Sequence, residues 1–135
     1  VLDTDHLSLI LRGHPQAYPR FALAPPDSVA IAVITAEEQL RGRLAQIRKA
    51  KTDDALIQAQ RLLRKAIYDL AKLNILEFDS ASAAFFKDMK RQHARIGSQD
   101  LRIAAIALAN NATVITRNRA DFGQITALTI EDWTI

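Results

Sequence analysis

The 135-residue chain has no cysteine, which excludes disulfide staples and thiolate chemistry and suits a reducing, cytoplasmic setting. No apolar run reaches membrane-spanning length and no cleavable leader pattern is visible, so the sequence reads as a soluble protein with no membrane partner. Glycine and proline number four each, and no glutamine, serine or glycine tract suggests disorder. The three histidines, His6, His14 and His93, are scattered without metal-ligand spacing, and neither a Ser-His-Asp set nor a glycine-rich phosphate loop is evident. What is there is an aliphatic-rich chain of one-domain length, residues 1–135, able to bury a core unaided.

The net charge is +3, and its distribution says more than its sum. Between positions 41 and 51 stand five cations and no acid: Arg41, Arg43, Arg48, Lys49 and Lys51. Lys87, Lys90, Arg91 and Arg95 form a second group. Either group suits phosphates, as in RNA binding; either also reads as a solvated helix face.

Residues 96–116 organise the rest. Leu101, Ala104, Ala105, Leu108 and Ala109 recur at helical spacing, and residues 112–115 then shift to a short β-branched run ending at Thr116. Ser98 suits the helix N-cap, Asn110-Asn111 a left-handed end, and Asp100 falls in the first turn. Strands are expected also at 1–3, 29–34, 75–78 and 127–130. The first is so short that a few native residues are expected before Val1. Thr4 or Asp5 can cap a short helix through Leu11, and another follows Pro15. Thr35 and Glu38 form a Thr-x-x-Glu capping box opening a helix into the basic segment. A second long helix over 52–73, with Leu56, Ala59, Leu62, Ala66, Ile67 and Leu70 on one side, completes a helical hairpin between strands two and three. Phe85, Phe86 and Met89 are expected in the core, and Trp133 over the end of the sheet. The alternation implies an α/β fold of three layers, α/β/α, around a parallel sheet of about five strands with right-handed crossovers.

In such a sheet the ligand site lies outside the carboxyl ends of the strands. Asp3 ends the first strand, Glu38 follows the second, Asp100 starts the helix before the fourth, and Asp121 lies in the turn after it. All four can face one edge. Gathered carboxylates raise one another's pKa, a conflict that a divalent cation resolves. Oxygen ligands without histidine or cysteine suit Mg²⁺ or Mn²⁺, which can activate a water and stabilise charge developing on a phosphate. That chemistry is phosphodiester hydrolysis. Each acid also has a local role open to it: Glu38 in the capping box, Asp100 at a helix N-terminus, Asp121 in a turn. Asp3 is different, because a carboxylate ending a buried strand needs a partner. Asp5 and Asn118 are supporting candidates, Asn118 through its amide oxygen, and Thr4 and Thr116 can bond a ligand carboxylate or satisfy strand-end backbone.

Leu2-Asp3-Thr4-Asp5, then Ile34-Thr35-Ala36-Glu37-Glu38-Gln39-Leu40-Arg41-Gly42, then Ile96-Gly97-Ser98-Gln99-Asp100-Leu101-Arg102-Ile103-Ala104-Ala105, and finally Val114-Ile115-Thr116-Arg117-Asn118 with Asp121-Phe122, resemble the ordered motifs of PIN-domain ribonucleases. More narrowly, they resemble VapC toxins of type II toxin-antitoxin pairs. The resemblance implies Asp3, Glu38 and Asp100 as metal ligands with Asp121 as fourth acid, although some members carry that acid where Asn118 stands. Members often have Asn where this chain has Asp5. It further implies a Mg²⁺- or Mn²⁺-dependent endoribonuclease, homodimeric, acting on tRNA or ribosomal RNA and held by a VapB-like antitoxin.

Two other classes compete. Asp3-x-Asp5 after a strand resembles a haloacid-dehalogenase-like phosphatase, but no convincing lysine appears at the later strand ends. A receiver domain would need a lysine after the last strand, where Ile130-Glu131-Asp132 offers none. The remaining alternative is a non-catalytic module that binds RNA or a partner, against which the retained acids speak.

Overall fold

The computed structural model of the chain describes residues 1–135. Helix α1 (Thr4–Leu11) begins because Asp3, in extended conformation at φ −74° and ψ 172°, turns its Oδ1 to accept the backbone N–H of His6 at 2.8 Å. The cap therefore falls on Asp3 rather than on the expected Thr4 or Asp5, since a cap needs the extended backbone that a strand end supplies. Gly13, at φ 77°, releases the chain into α2 (Ala17–Leu23). A single 3₁₀ turn, Pro26–Ser28, leads into β1 (Ala30–Ala32).

Helix α3 (Val33–Lys49) starts earlier than the sequence suggests. Its N-cap is Ala32, without a side-chain bond, so Val33 and Ile34 are helical rather than strand and the Thr35–Glu38 box does not form. Thr35 already lies within the first helical turn, fully buried, and Glu38 is free for other partners. Helix α4 (Asp53–Ala71), capped by Thr52 Oγ1, returns along α3 to complete the hairpin. Then come β2 (Asn74–Leu76), α5 (Ser80–Gln92) capped by Asp79, α6 (Ser98–Ala109), β3 (Val114–Ile115), the one-turn α7 (Arg119–Phe122) and β4 (Ile130–Glu131). Gly97, not Ser98, is the N-cap residue of α6. The left-handed residue at its end is Asn111, at φ 51°.

The expected five-strand sheet is corrected to two parallel two-strand ladders. In one, Ala30, Ile31 and Ala32 of β1 face Asn74, Ile75 and Leu76 of β2; in the other, Val114 and Ile115 of β3 face Ile130 and Glu131 of β4. Leu2 alone bridges them, in parallel sense, to Ile31 on one side and Ile115 on the other. The strands are short because helices begin directly after Ala32 and Asp3. The expected strand over 127–130 is delayed because Ala127 sits in the left-handed region at φ 67°.

Side chains alternate across these strands, and the alternation builds the layers. Val1, Ala32 and Val114 join Met89, Ile96, Phe122 and, from α6, Leu101 and residues 103–107 in one buried cluster. Leu2, Ile31 and Ile115 join Leu7, Ile10, Ala17, Val29 and Leu70 in a second. The strands thus separate an α5–α6 layer from one built of α1, α2 and α4, with α3 contributing Ile34 to the first and Ala36 to the second. Helix α6 is the central element: Leu101, Ile103 and Ile106 are all fully buried, each stabilising by roughly 1.5–3 kcal/mol. Phe85, expected in the core, is exposed, as are Leu56 and Ile67 on the apolar side of α4. On α4 only Ala59, Ala66 and Leu70 are fully covered, and on α5 the inward face runs Ser82, Phe86, Met89, one residue off Phe85. Trp133 packs against the second cluster. No helix is long and apolar enough to cross a membrane.

Candidate active site

The carboxyl ends of the strands open onto a cavity of about 540 Å³ lined by Asp3, Thr4, Asp5, Ser8, Asp100, Arg117 and Asn118, with Phe122 the one apolar wall. Asp3 reaches it as the cap of α1, Asp100 from the first turn of α6. Glu38 and Asp121 stand behind this lining, yet both act on it electrostatically. Burial, followed by the negative charges of Asp3, Glu38 and Asp121, pushes the Asp100 carboxyl up to about 6. Four acids drawn from positions 3 to 121 therefore share one field.

Their side chains are held by named partners. Glu38 Oε1 accepts the hydroxyl of Thr4 at 3.0 Å, with Thr35 Oγ1 3.2 Å from the same hydroxyl. Asn118 caps α7 and grips Asp121 twice: its Oδ1 accepts the Asp121 backbone N–H at 3.2 Å and its Nδ2 donates to Asp121 Oδ2 at 3.0 Å. Thr116 is buried and its Oγ1 accepts the Asn118 N–H at 2.9 Å, so it sets the turn that carries both. With both ends of its amide so engaged, Asn118 orients Asp121. Asp5 faces outward and pairs with Arg117, its Oδ2 accepting Nε–H at 2.8 Å.

No three of these side chains are gathered tightly enough to chelate a single ion. The internal bonds explain the spacing, since Asp3, Glu38 and Asp121 each have one oxygen committed to the protein. Each keeps the other oxygen free of protein hydrogen bonds, and no hydrogen bond lowers the pKa of Asp100. Oxygen-only donors whose mutual repulsion is unrelieved fit a hard divalent cation, which needs only one or two direct carboxylates and keeps several waters.

None of the five cations at positions 41–51 lines this cavity. Arg41 pairs with Glu37 one turn away on α3. Arg43 lies in a groove between α1, α3 and α4, beside Leu11, Gln39 and Leu62, while Lys49 stands at the far end of the hairpin with Ala50 and Ala55. The cation in the cavity is Arg117, which sequence reasoning passed over although it directly follows the strand end at Thr116. Ser8 on α1 was also passed over; His6, noted in the sequence only as lacking metal-ligand spacing, is buried one turn after Asp3 and does not line the cavity.

A parallel α/β fold with acids converging at the carboxyl edge defines a class of acidic, metal-compatible sites. Within that class the PIN-domain family model matches residues 1–128, and the chain belongs to the PIN-domain family. It is similar to the protein named Ribonuclease VapC2 of Rickettsia felis, 28% identical over 98% of this chain and 96% of the relative. It is similar also to Ribonuclease VapC1 of Haemophilus influenzae, 28% identical over 99% and 97%. Among solved structures it resembles a chain of Rickettsia felis VapBC2 bound to a promoter DNA fragment, with TM-score 0.75 and 28% identity over 98% of this chain and 96% of that one. DNA-bound VapBC from Salmonella typhimurium matches with TM-score 0.79 and 26% identity over 98% and 96%.

Proposed function

We propose that this chain is a VapC-type endoribonuclease, the toxin of a VapBC-like pair, hydrolysing RNA phosphodiester bonds with the help of Mg²⁺ or Mn²⁺. The observation that carries the reading is the shared field of Asp3, Glu38, Asp100 and Asp121 at the strand ends of a PIN domain. Near full-length similarity to proteins named Ribonuclease VapC supports it, as do solved relatives described as VapBC assemblies. One or two of Asp3, Glu38, Asp100 and Asp121 would bind the cation directly and the others through its waters, with Thr4 orienting Glu38 and Asn118 orienting Asp121. When bound, such an ion supplies an activated water and stabilises charge on the phosphate.

Arg117, at the rim, meets an RNA phosphate, for which Asp5 is its resting partner. Arg43, Arg48 and Lys49 on α3 add attraction at longer range, and Arg41 adds less because Glu37 already neutralises it. A VapB-like antitoxin is the expected partner, and the exposed apolar side chains of α4, Ile67 and Tyr68, suit a homodimer. The site works in the cytoplasm on tRNA or ribosomal RNA. A phosphatase reading is not favoured, because no lysine lines the cavity.

The test is incubation of purified protein with total small RNA, with Mn²⁺ or EDTA, and mapping of new 5′ ends. Discrete new ends that require Mn²⁺ and vanish with EDTA are expected. Intact RNA under both conditions would sink the nuclease assignment.

A further inference from the structure

His6 is fully buried and ties two distant parts of the chain together. Its Nε2 accepts the backbone N–H of Trp133 at 3.2 Å, which leaves the ring proton on Nδ1. Asp132 Oδ1 lies 3.6 Å from Nε2, but it already accepts the backbone N–H and hydroxyl of Thr134, at 2.8 and 2.6 Å. Asp132 therefore does not compete for the ring, and Trp133 sets the tautomer.

That leaves Nδ1 pointing its proton at nothing within hydrogen-bond distance; it is the one buried side-chain polar atom of the protein without a partner. Oδ1 of Asp3 stands 3.6 Å away, too far for a hydrogen bond. A buried donor without an acceptor destabilises the fold, and an apolar residue of similar size would remove the penalty. Catalytic hydrogen bonds are often long until the site is loaded, and carboxylates that bind metals are held in turn by hydrogen bonds from behind.

We infer that His6 is a positioning residue of the acidic site: Nδ1–H closes onto Oδ1 of Asp3 and aims Oδ2 at a divalent cation, with residues 131–134 fixing the ring. The inference rests on the proposed role of Asp3 as a cation ligand. Asp3 Oδ1 already accepts the His6 backbone N–H, so the ring bond adds a second donor to the same oxygen and fixes the carboxylate plane. The segment at 131–134 thus acts on the site through one imidazole rather than by lining the cavity.

Two substitutions separate this role from packing. His6→Asn places an amide nitrogen near the position of Nδ1, keeping a donor toward Asp3 while losing the acceptor for Trp133. His6→Gln reaches toward the position of Nε2, keeping the acceptor while losing the donor. Melting temperature and Mn²⁺ affinity by titration calorimetry should then change in opposite order. Mn²⁺ binding weakens about tenfold or more in His6→Gln and stays within about threefold of the parent in His6→Asn, the less stable of the two. Mn²⁺ affinity that follows stability across both variants, or His6→Gln binding Mn²⁺ as tightly as the parent, overturns the inference. If His6→Asn does not fold, the affinity of His6→Gln against the parent decides alone. A parent protein that binds no Mn²⁺ overturns the cation reading itself, and the role of His6 with it.

Discussion

Asp100 is where the assembly of the site weighs on the fold. Its carboxyl titrates near 6 because it is half-buried and faces Asp3, Glu38 and Asp121. A carboxyl raised above its unfolded value keeps a proton in the native state that the unfolded chain has lost. Stability therefore falls as pH rises from about 4 to about 6 and stays lowered above that. Without metal, Asp100→Asn should stabilise the protein by about 1 kcal/mol at pH 8, a figure discounted for solvent screening, and by almost nothing at pH 4. Thermal melts of parent and variant at the two pH values check this, and the variant should lose RNA cleavage by about 100-fold or more. Equal melts at pH 8 would mean that neither burial nor the neighbouring acids disfavour the Asp100 carboxylate. At this scale the shared field of Asp3, Glu38, Asp100 and Asp121 was foreseeable from the order of strands and helices, although Glu38 proves to stand in the second turn of α3 rather than at its start. The sequence did not show His6 or Arg117, whose roles depend on partners more than a hundred residues away in the chain.

Among elements, α7 does most with least. This single turn carries Asp121, begins at Asn118 and ends at Gly123, where an added Cβ would lie 2.4 Å from the carbonyl oxygen of Arg119. Backbone cannot yield there as a flexible side chain would. Gly123→Ala should cost about 1–3 kcal/mol and shift Asp121, lowering both melting temperature and Mn²⁺ affinity. Chemical denaturation and calorimetry read the two effects; a variant as stable as the parent would show that the turn relaxes freely. The long helices were readable from their 3.6-residue periodicity. The boundary at Ala32 was not, since a continuous apolar run looks the same whether it is strand or buried helix. The supposed capping box failed for that reason: its letters were right, but the helix had begun three residues earlier, with Ala32 rather than Thr35 as its cap.

Across the whole molecule, charge is arranged so that a negative cavity has Arg117 at its rim and further cations on α3. If the RNA backbone crosses that rim, Arg117→Gln should lower the slope of log affinity against log salt by about 1. The triple change of Arg43, Arg48 and Lys49 to Gln should lower it further only if α3 also lies along the RNA. Filter binding in an Asp100→Asn background without divalent metal measures both, and an unchanged slope for Arg117→Gln would remove that residue from the RNA path. The α/β alternation and the facing edge of acids followed from the order of strands and helices. The division of the sheet into two ladders did not, because strand length is set by where helices begin.

Leu2 alone joins those ladders, and its partners are Ile31 and Ile115. During synthesis the first of these leaves the ribosome early and the second late, so a nascent chain can assemble only half of its sheet. Asp3 waits with it for Asp100 and Asp121. Translation must therefore pass residue 121 before the four acids can meet at all.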